Sequence, residues 1–319
     1  MKVLITGATG LVGKAIVGLL QEKEIPVHYL TTSKQKISSK EGYTGFFWNP
    51  KKNIIDNNAF EGVTHIINLA GTTISKRWTP SNKKKILTSR INSLKTLREG
   101  LVAYGAEKIK GFVSASAIGI YPSSLTSLYV ENEKEVDDSF LGDVVVAWEQ
   151  EIASFEHFNF NVAAIRIGLV LAENGGALPQ MAKPIKNYVG APIGTGEQWQ
   201  SWIHLEDLAR IFVFALNNEL NGTYNGVAPN PVTNSKLTKQ LAKTLQKPLW
   251  LPNVPKFVLK LILGEMAYLL FASQRVSSKK IEDAGFNFYY TNICSALDKI
   301  YKPETNKIES LGTYENTYS

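Results

Sequence analysis

Val3-Leu4-Ile5-Thr6-Gly7-Ala8-Thr9-Gly10-Leu11-Val12-Gly13 is the stretch whose reading decides the fold. A continuous apolar run of strand character stops at Gly7, and a segment of helical length, Leu11 to Glu22, begins four residues later. A second strand-like run, Val27 to Thr31, follows, so strand, glycine-rich turn, helix and strand make one βαβ unit. Within it, Gly7 suits the tight turn, Gly10 lets the backbone approach a pyrophosphate, and Gly13 lets the helix close on the strand. Free backbone N–H groups and the positive end of the helix dipole then face the phosphates. Gly7, Thr9, Gly10, Leu11 and Val12 are therefore candidate cofactor contacts.

The end of the second strand carries the choice of dinucleotide. A protein selective for NAD usually places an Asp or Glu there to accept from the ribose 2′-hydroxyl. Here the residues are Thr31, Thr32, Ser33 and Lys34, which offer hydroxyls and a cation to a 2′-phosphate and no carboxylate to repel one. Thr32, Ser33 and Lys34 thus point to NADP, although an exposed loop lysine is also an ordinary feature of a surface.

The alternation continues outward. His65 to Leu69 reads as a strand, Pro80 to Tyr104 as a long helix with the apolar stripe Leu87, Ile91, Leu94, Leu97 and Leu101, and Gly111 to Ser116 as a strand. Gly142 to His157 reads as a helix and Asn161 to Leu171 as one further apolar strand. Strands separated by helices imply an α/β, doubly wound parallel sheet, a Rossmann fold, with a smaller C-terminal lobe. Residues 1–170 form the NADP-binding domain, with some later segments returning to it. Residues 171–301 form the substrate-side lobe, including a helical subdomain at 248–298, and 302–319 a flexible tail. The apolar segment Val254 to Ala272 is expected to be a helix docked on its own protein, since Lys256, Lys260 and Glu265 interrupt it.

Composition sets the outer bounds. One cysteine, Cys294, excludes an intramolecular disulfide, and four scattered histidines give no metal cluster, so no metal is expected and a reducing, cytoplasmic setting fits. The net charge of +7 suits an anionic cofactor. Lys83-Lys84-Lys85 would fan around an exposed helix face with no stacking aromatics between them, which argues against nucleic acid. The long uncharged stretch Gly111 to Val130 is broken by serines, glycines and a proline, so neither it nor any other segment reads as a membrane span. The expected partner is a small-molecule substrate, with a homodimer left open.

Several motifs in order resemble the extended, atypical short-chain dehydrogenase/reductases. They are Asn68-Leu69-Ala70-Gly71, Asn92, Ser114-Ala115-Ser116 and Tyr121, together with the one-residue difference of the glycine spacing from G-x-G-x-x-G. Lys76-Arg77-Trp78-Thr79, Ser89-Arg90, Trp148-Glu149, Gly175-Gly176-Ala177-Leu178, Ser201-Trp202-Ile203-His204 and Ser273-Gln274-Arg275-Val276 narrow the resemblance. They are similar to NAD(P)-dependent epimerase/dehydratase-like proteins with a short C-terminal domain of unknown function. The resemblance adds Leu69, Ala70, Gly71, Arg90, Ser114 and Leu169 to the expected cofactor contacts.

It also implies a Tyr and a Lys one helical turn apart, which would act as acid/base and as ribose anchor. The matching positions here hold Val145 and Glu149, and neither can do that work. Tyr104 and Lys108 have the right spacing but precede the serine strand, out of context. Ser116 and Tyr121 are the remaining catalytic candidates, while Ser116 also fits a backbone-bonded strand end and Tyr121 a packed loop aromatic. Arg166 faces either an acidic substrate or a core carboxylate. His204 is expected to orient its segment, and Trp78, Trp199 and Trp202 to form an apolar wall by the nicotinamide. The expected function is an NADP(H)-binding, epimerase-family oxidoreductase acting on a small molecule. The competing reading is a sensor that binds NADPH without turnover.

Overall fold

The computed structural model describes residues 1–302, and the expected tail from 303 onward lies outside them. The first half alternates as β1 (Val3–Thr6), α1 (Leu11–Glu22), β2 (Val27–Thr31), β3 (Ser39–Lys40), β4 (Tyr43–Asn49), β5 (Ile54–Ile55), β6 (His65–Asn68), α2 (Pro80–Tyr104) and β7 (Gly111–Ala117). Then come β8 (Leu128–Tyr129), α3 (Phe140–Ala153), β9 (Asn161–Ile167), β10 (Leu169–Leu171), α4 (Leu178–Lys186), β11 (Trp199–Gln200), β12 (Trp202–His204) and α5 (Leu205–Asn217). The chain finishes with β13 (Gly222–Gly226), β14 (Val232–Thr233), α6 (Asn234–Thr244), α7 (Lys256–Leu263), α8 (Tyr268–Phe271), β15 (Arg275–Val276), α9 (Lys279–Asp283) and α10 (Ile293–Tyr301).

The main sheet runs β13-β9-β7-β6-β1-β2-β4-β3, with β5 added to β4, and all its pairings from β13 through β4 are parallel. Order reverses on either side of β1, where a doubly wound sheet opens a crevice at the carboxyl ends of its strands. The central strands are apolar on both faces because helices cover both. Leu4, Ile5, Ile66, Ile67, Phe112 and Val113 are buried, with α1 packed beside α5 and α2 beside α3. The helix boundaries follow local chemistry: Thr79 accepts from the Asn82 amide and Pro80 opens α2, while Gly105 with φ of 102° closes it.

A second apolar cluster gathers Leu178, Ala182 and Ile185 of α4, Leu237 and Leu241 of α6, Ala296 and Leu297 of α10, and Trp202. Residues 205–226 go back to the first core, α5 through Leu208, Phe212 and Leu216, and β13 by covering the edge of β9.

Three sequence expectations change in detail. The apolar run Asn161 to Leu171 is two strands, since Gly168 breaks it and sends Leu169–Leu171 to pair with Trp202–His204 instead of the main sheet. A β-carbon at Gly168 would stand 2.3 Å from the Ser201 carbonyl oxygen, so that change of partner needs glycine. The helix placed at 142–157 starts two residues sooner, where the Ser139 hydroxyl accepts from the Leu141 amide, and ends at Ala153. The apolar segment 254–272 is two short helices around a turn at Gly264 (φ 60°), and α7 buries none of its residues. Leu261 is 81% exposed and Phe257 72%, while Val258, Leu259 and Leu263 are half-buried, so that helix docks by one side and leaves apolar surface open on the other. No helix among the described residues is long and apolar enough to cross a membrane.

Candidate functional site

The glycine turn lies between β1 and α1, and its geometry is that of a phosphate cradle. Gly7 has φ of 73°, and Gly10 caps α1 with its amide bonded to the Gly7 carbonyl at 2.9 Å. A β-carbon on Gly13 would come 2.3 Å from that carbonyl oxygen, so the first turn of α1 can close on the loop only with glycine there. No side chain caps α1 and its first turn carries no acidic residue. The first-turn amides, Leu11 and Val12 among them, therefore remain available to an anion. Thr9 is exposed on the same turn. Gly175 and Gly176, which the sequence had placed only in a motif, lie over this turn, and a β-carbon on Gly175 would sit 3.1 Å from the Leu11 side chain.

A hydrogen-bonded row crosses the floor of the crevice. The Thr6 hydroxyl donates to Asn68 Oδ1 at 2.7 Å and accepts from the Leu69 and Ala70 amides, and Asn68 Nδ2 donates to the Ser114 hydroxyl at 3.0 Å. The row fixes the backbone at Leu69, Ala70 and Gly71. Ser114 is wholly buried within it and also donates to the Ala115 carbonyl, so its side chain holds strands together and does not face a ligand.

Arg90 comes from α2 to the rim beside Gly71. Its Nη1 donates to the carbonyls of Thr72 and Ile86, its guanidinium lies 4.7 Å from the Trp148 ring centre, and its Nε is buried without a partner. Burial brings the Arg90 guanidinium down to about 10, and no carboxylate offsets that cost. A half-buried cation with carbonyls and a ring face for neighbours is suited to meet an anion. At the other rim, Thr32 and Lys34 are exposed, the Ser33 amide donates to the Thr31 hydroxyl, and Lys34 Nζ sits 5.4 Å from the Phe47 ring centre. Leu169 is half-buried at the start of β10, against the second core.

Below the crevice lies a compact polar network. Ser116 at the end of β7 donates to Glu149 Oε1 at 2.5 Å, and Arg166 of β9 holds both Glu149 oxygens, Nε to Oε1 and Nη2 to Oε2, each at 2.8 Å. Arg166 Nη1 donates to the Tyr121 hydroxyl at 2.9 Å, and Tyr121 donates to Asn225 Oδ1 at 2.8 Å. Arg166 therefore pairs with a core carboxylate. Burial works against its charge, but Glu149 and Tyr121 outweigh that and hold the guanidinium above its ordinary value. Burial pushes the Tyr121 phenol up, with Arg166 pulling the other way, so Tyr121 stays a neutral donor.

This arrangement corrects the expected roles. Tyr121, 1% exposed and stacked on Tyr129, spends its proton on Asn225 and does not stand free as a substitute acid. Ser116 is equally buried and gives its proton to Glu149. Val145 packs with Ile120 and Tyr121 in an apolar cluster. Glu149, expected merely as a departure from the motif, sits at the centre of the network and keeps more exposure than the Arg166 that holds it.

The three tryptophans do not share a wall. Trp78 packs on Phe140, Trp202 is buried in the second core, and Trp199 lies under Arg275. His204 caps α5 by accepting from the Glu206 amide and lies against Tyr290, as an orienting residue does. Tyr104 ends α2, away from β7 in the chain order that the motif needs. Among the described residues, no three His, Cys, Asp or Glu side chains are placed to hold a metal ion.

A parallel sheet reversing at β1, a glycine cradle on an uncapped helix and a serine strand beside it define a nucleotide-binding Rossmann protein of the extended short-chain dehydrogenase/reductase type. Residues 3–226 match the NAD dependent epimerase/dehydratase family, and the chain belongs to it. Residues 254–300 match a domain of unknown function, DUF1731. An epimerase family protein of Staphylococcus aureus is 36% identical over 302 residues, spanning 94% of this chain and 98% of its own. One from Staphylococcus epidermidis is 35% identical over 309 residues, spanning 94% and 98%. The crystal structure of the human epimerase family protein SDR39U1 with NADPH superposes with a TM-score of 0.83 at 27% identity, covering 95% of this chain and all of that one. A nucleoside-diphosphate sugar epimerase from Corynebacterium glutamicum gives 0.75 at 30% identity, covering 94% of this chain and 58% of that one.

Proposed function

We propose that this chain is an NADP(H)-dependent oxidoreductase of the epimerase family, working in the cytoplasm on a small molecule. The observation that carries the cofactor half is the cradle: a turn closed by Gly13, with no capping side chain and no acid at the start of α1. The bound dinucleotide would supply hydride chemistry. Leu11 and Val12 would meet the pyrophosphate through their amides, Leu69, Ala70 and Gly71 would line the groove, and Arg90 would add a cation at its rim. Thr32, Ser33 and Lys34 favour a 2′-phosphate, and the human relative bound to NADPH supports that choice. The loss of the Tyr–Lys pair at Val145 and Glu149 and the burial of Tyr121 favour a second reading, a protein that binds NADPH without turnover.

Titration calorimetry tests the cofactor. One charge-assisted contact contributes about 1.5–3 kcal/mol, so NADPH is expected to bind at least about tenfold tighter than NADH, with Lys34→Ala removing most of the difference. Equal affinity for the two dinucleotides in the unaltered protein would refute the assignment.

A further inference from the structure

The network at the carboxyl ends of β7 and β9 is not closed equally around its four linked side chains. Ser116 and Tyr121 are each 1% exposed, and the Arg166 side chain is 8% exposed, whereas the Glu149 side chain keeps 18%. Every hydrogen bond made to that carboxylate comes from Ser116 or Arg166. Oε1 accepts twice, from Ser116 and from Arg166 Nε, while Oε2 accepts once, from Arg166 Nη2. A carboxylate oxygen takes about two donors, so Oε2 has room for one more. The cation beside it is already matched by Glu149, and the Ser116 proton is already given away. Arg166 spends four of its five N–H groups on Glu149, Tyr121 and the Glu131 carbonyl and is only 8% exposed, so the group that the network offers outward is the more exposed Glu149 acceptor.

We infer that Glu149 is the residue that meets the substrate, and that it selects a hydroxyl group by accepting its proton in a hydrogen bond at Oε2. This rests on the reading above only in placing the substrate in the dinucleotide crevice. A bidentate guanidinium fixes the carboxylate plane, so the open lone pair has a set direction, as a positioned acceptor requires. A carbonyl, carboxylate or phosphate brought to the same place would set lone pair against lone pair. The substrate class that follows is an alcohol or polyol, held by its hydroxyl when the oxidised dinucleotide is bound.

Cyclohexanol and cyclohexanone are matched uncharged probes for the test. With NADP⁺ binding established first in a separate titration, the affinity of each probe for the NADP⁺-loaded protein is read by ligand-observed NMR. The alcohol is expected to bind at least about tenfold more tightly, the scale of one charge-assisted hydrogen bond. Glu149→Gln should erase most of that preference and Glu149→Asp, which keeps the charge, should retain part of it. A mere structural role for Glu149 would leave the ratio of the two probes unchanged. Equal affinities, preference for the ketone, no binding of either probe, or a preference that survives Glu149→Gln would each overturn the inference. If thermal melts show that Glu149→Gln does not fold, the two wild-type affinities decide. Failure of NADP⁺ to bind in the first titration would instead strike the cofactor assignment.

Discussion

His204 carries a cap and a titration at once. Its Nδ1 accepts from the Glu206 amide at the start of α5, which only the neutral ring can do. Burial lowers the His204 value, with Glu206 and Asp207 opposing. The folded chain therefore binds this proton less readily than the unfolded chain does, and stability present above the ordinary histidine range is lost as pH falls through it. His28 and His65, both lowered chiefly by burial, act in the same direction. Thermal melts should show Tm falling from pH 7 to pH 5, and falling less in His204→Asn, whose side chain caps without titrating; a parallel slope in the variant would rule the cap out as a contributor. At this scale the glycine turn was legible in the sequence. Gly7, Gly10 and Gly13 stand as their spacing requires because a tight turn leaves few alternatives. The proton relations of Ser116, Tyr121, Arg166 and Glu149 were not legible, because those residues lie on β7, the loop after it, α3 and β9, and only the sheet register at Ser116 and Arg166 brings them together.

Elements were readable where periodicity and punctuation agreed, and misread where one apolar run hid two environments. The one charge in the run 161–171, Arg166, lies within β9 and does not mark where the chain changes partner; Gly168 marks it, and its reason is the Ser201 backbone far along the chain. Replacing Gly168 by Val would force two neighbours apart, since even a β-carbon would also come 2.8 Å from Val227 Cγ1. Overpacking of this kind costs about 1–3 kcal/mol, so calorimetric unfolding should show Tm lowered by several degrees with NADPH affinity weakened little. An unchanged Tm would mean that β10 shifts freely, contrary to its pairing with Trp202. The sequence Lys256 to Leu263 misled in another way. It is apolar on nearly every side, so its pattern cannot say which side is covered, and the folded chain covers none of it fully.

The layout of the whole molecule followed from the alternation of strand and helix, since a parallel sheet with right-handed crossovers admits few orders. A return of later segments to the first domain was expected; what local pattern could not supply was that α5 and β13 are the segments that return. Gly222–Gly226 is short and glycine-bounded, and it becomes a sheet member only because Asn161–Ile167 presents an unfilled edge.

That late return has a consequence during synthesis. By the time the ribosome has made the first 200 residues, nearly the whole nucleotide-binding sheet exists, yet the row of amides and carbonyls on one side of Asn161–Ile167 has nothing to pair with until residues 222–226 emerge. The nascent chain thus spends some seconds, at about 5–20 residues per second, with a strand edge that other chains can join. Chains cut after residue 219, which keep α5 but lack β13, should be recovered mainly as aggregates, and those cut after residue 233 should show a larger soluble fraction in sedimentation of freshly translated protein. Equal solubility of the two would mean that the edge is shielded in some other way until its partner arrives.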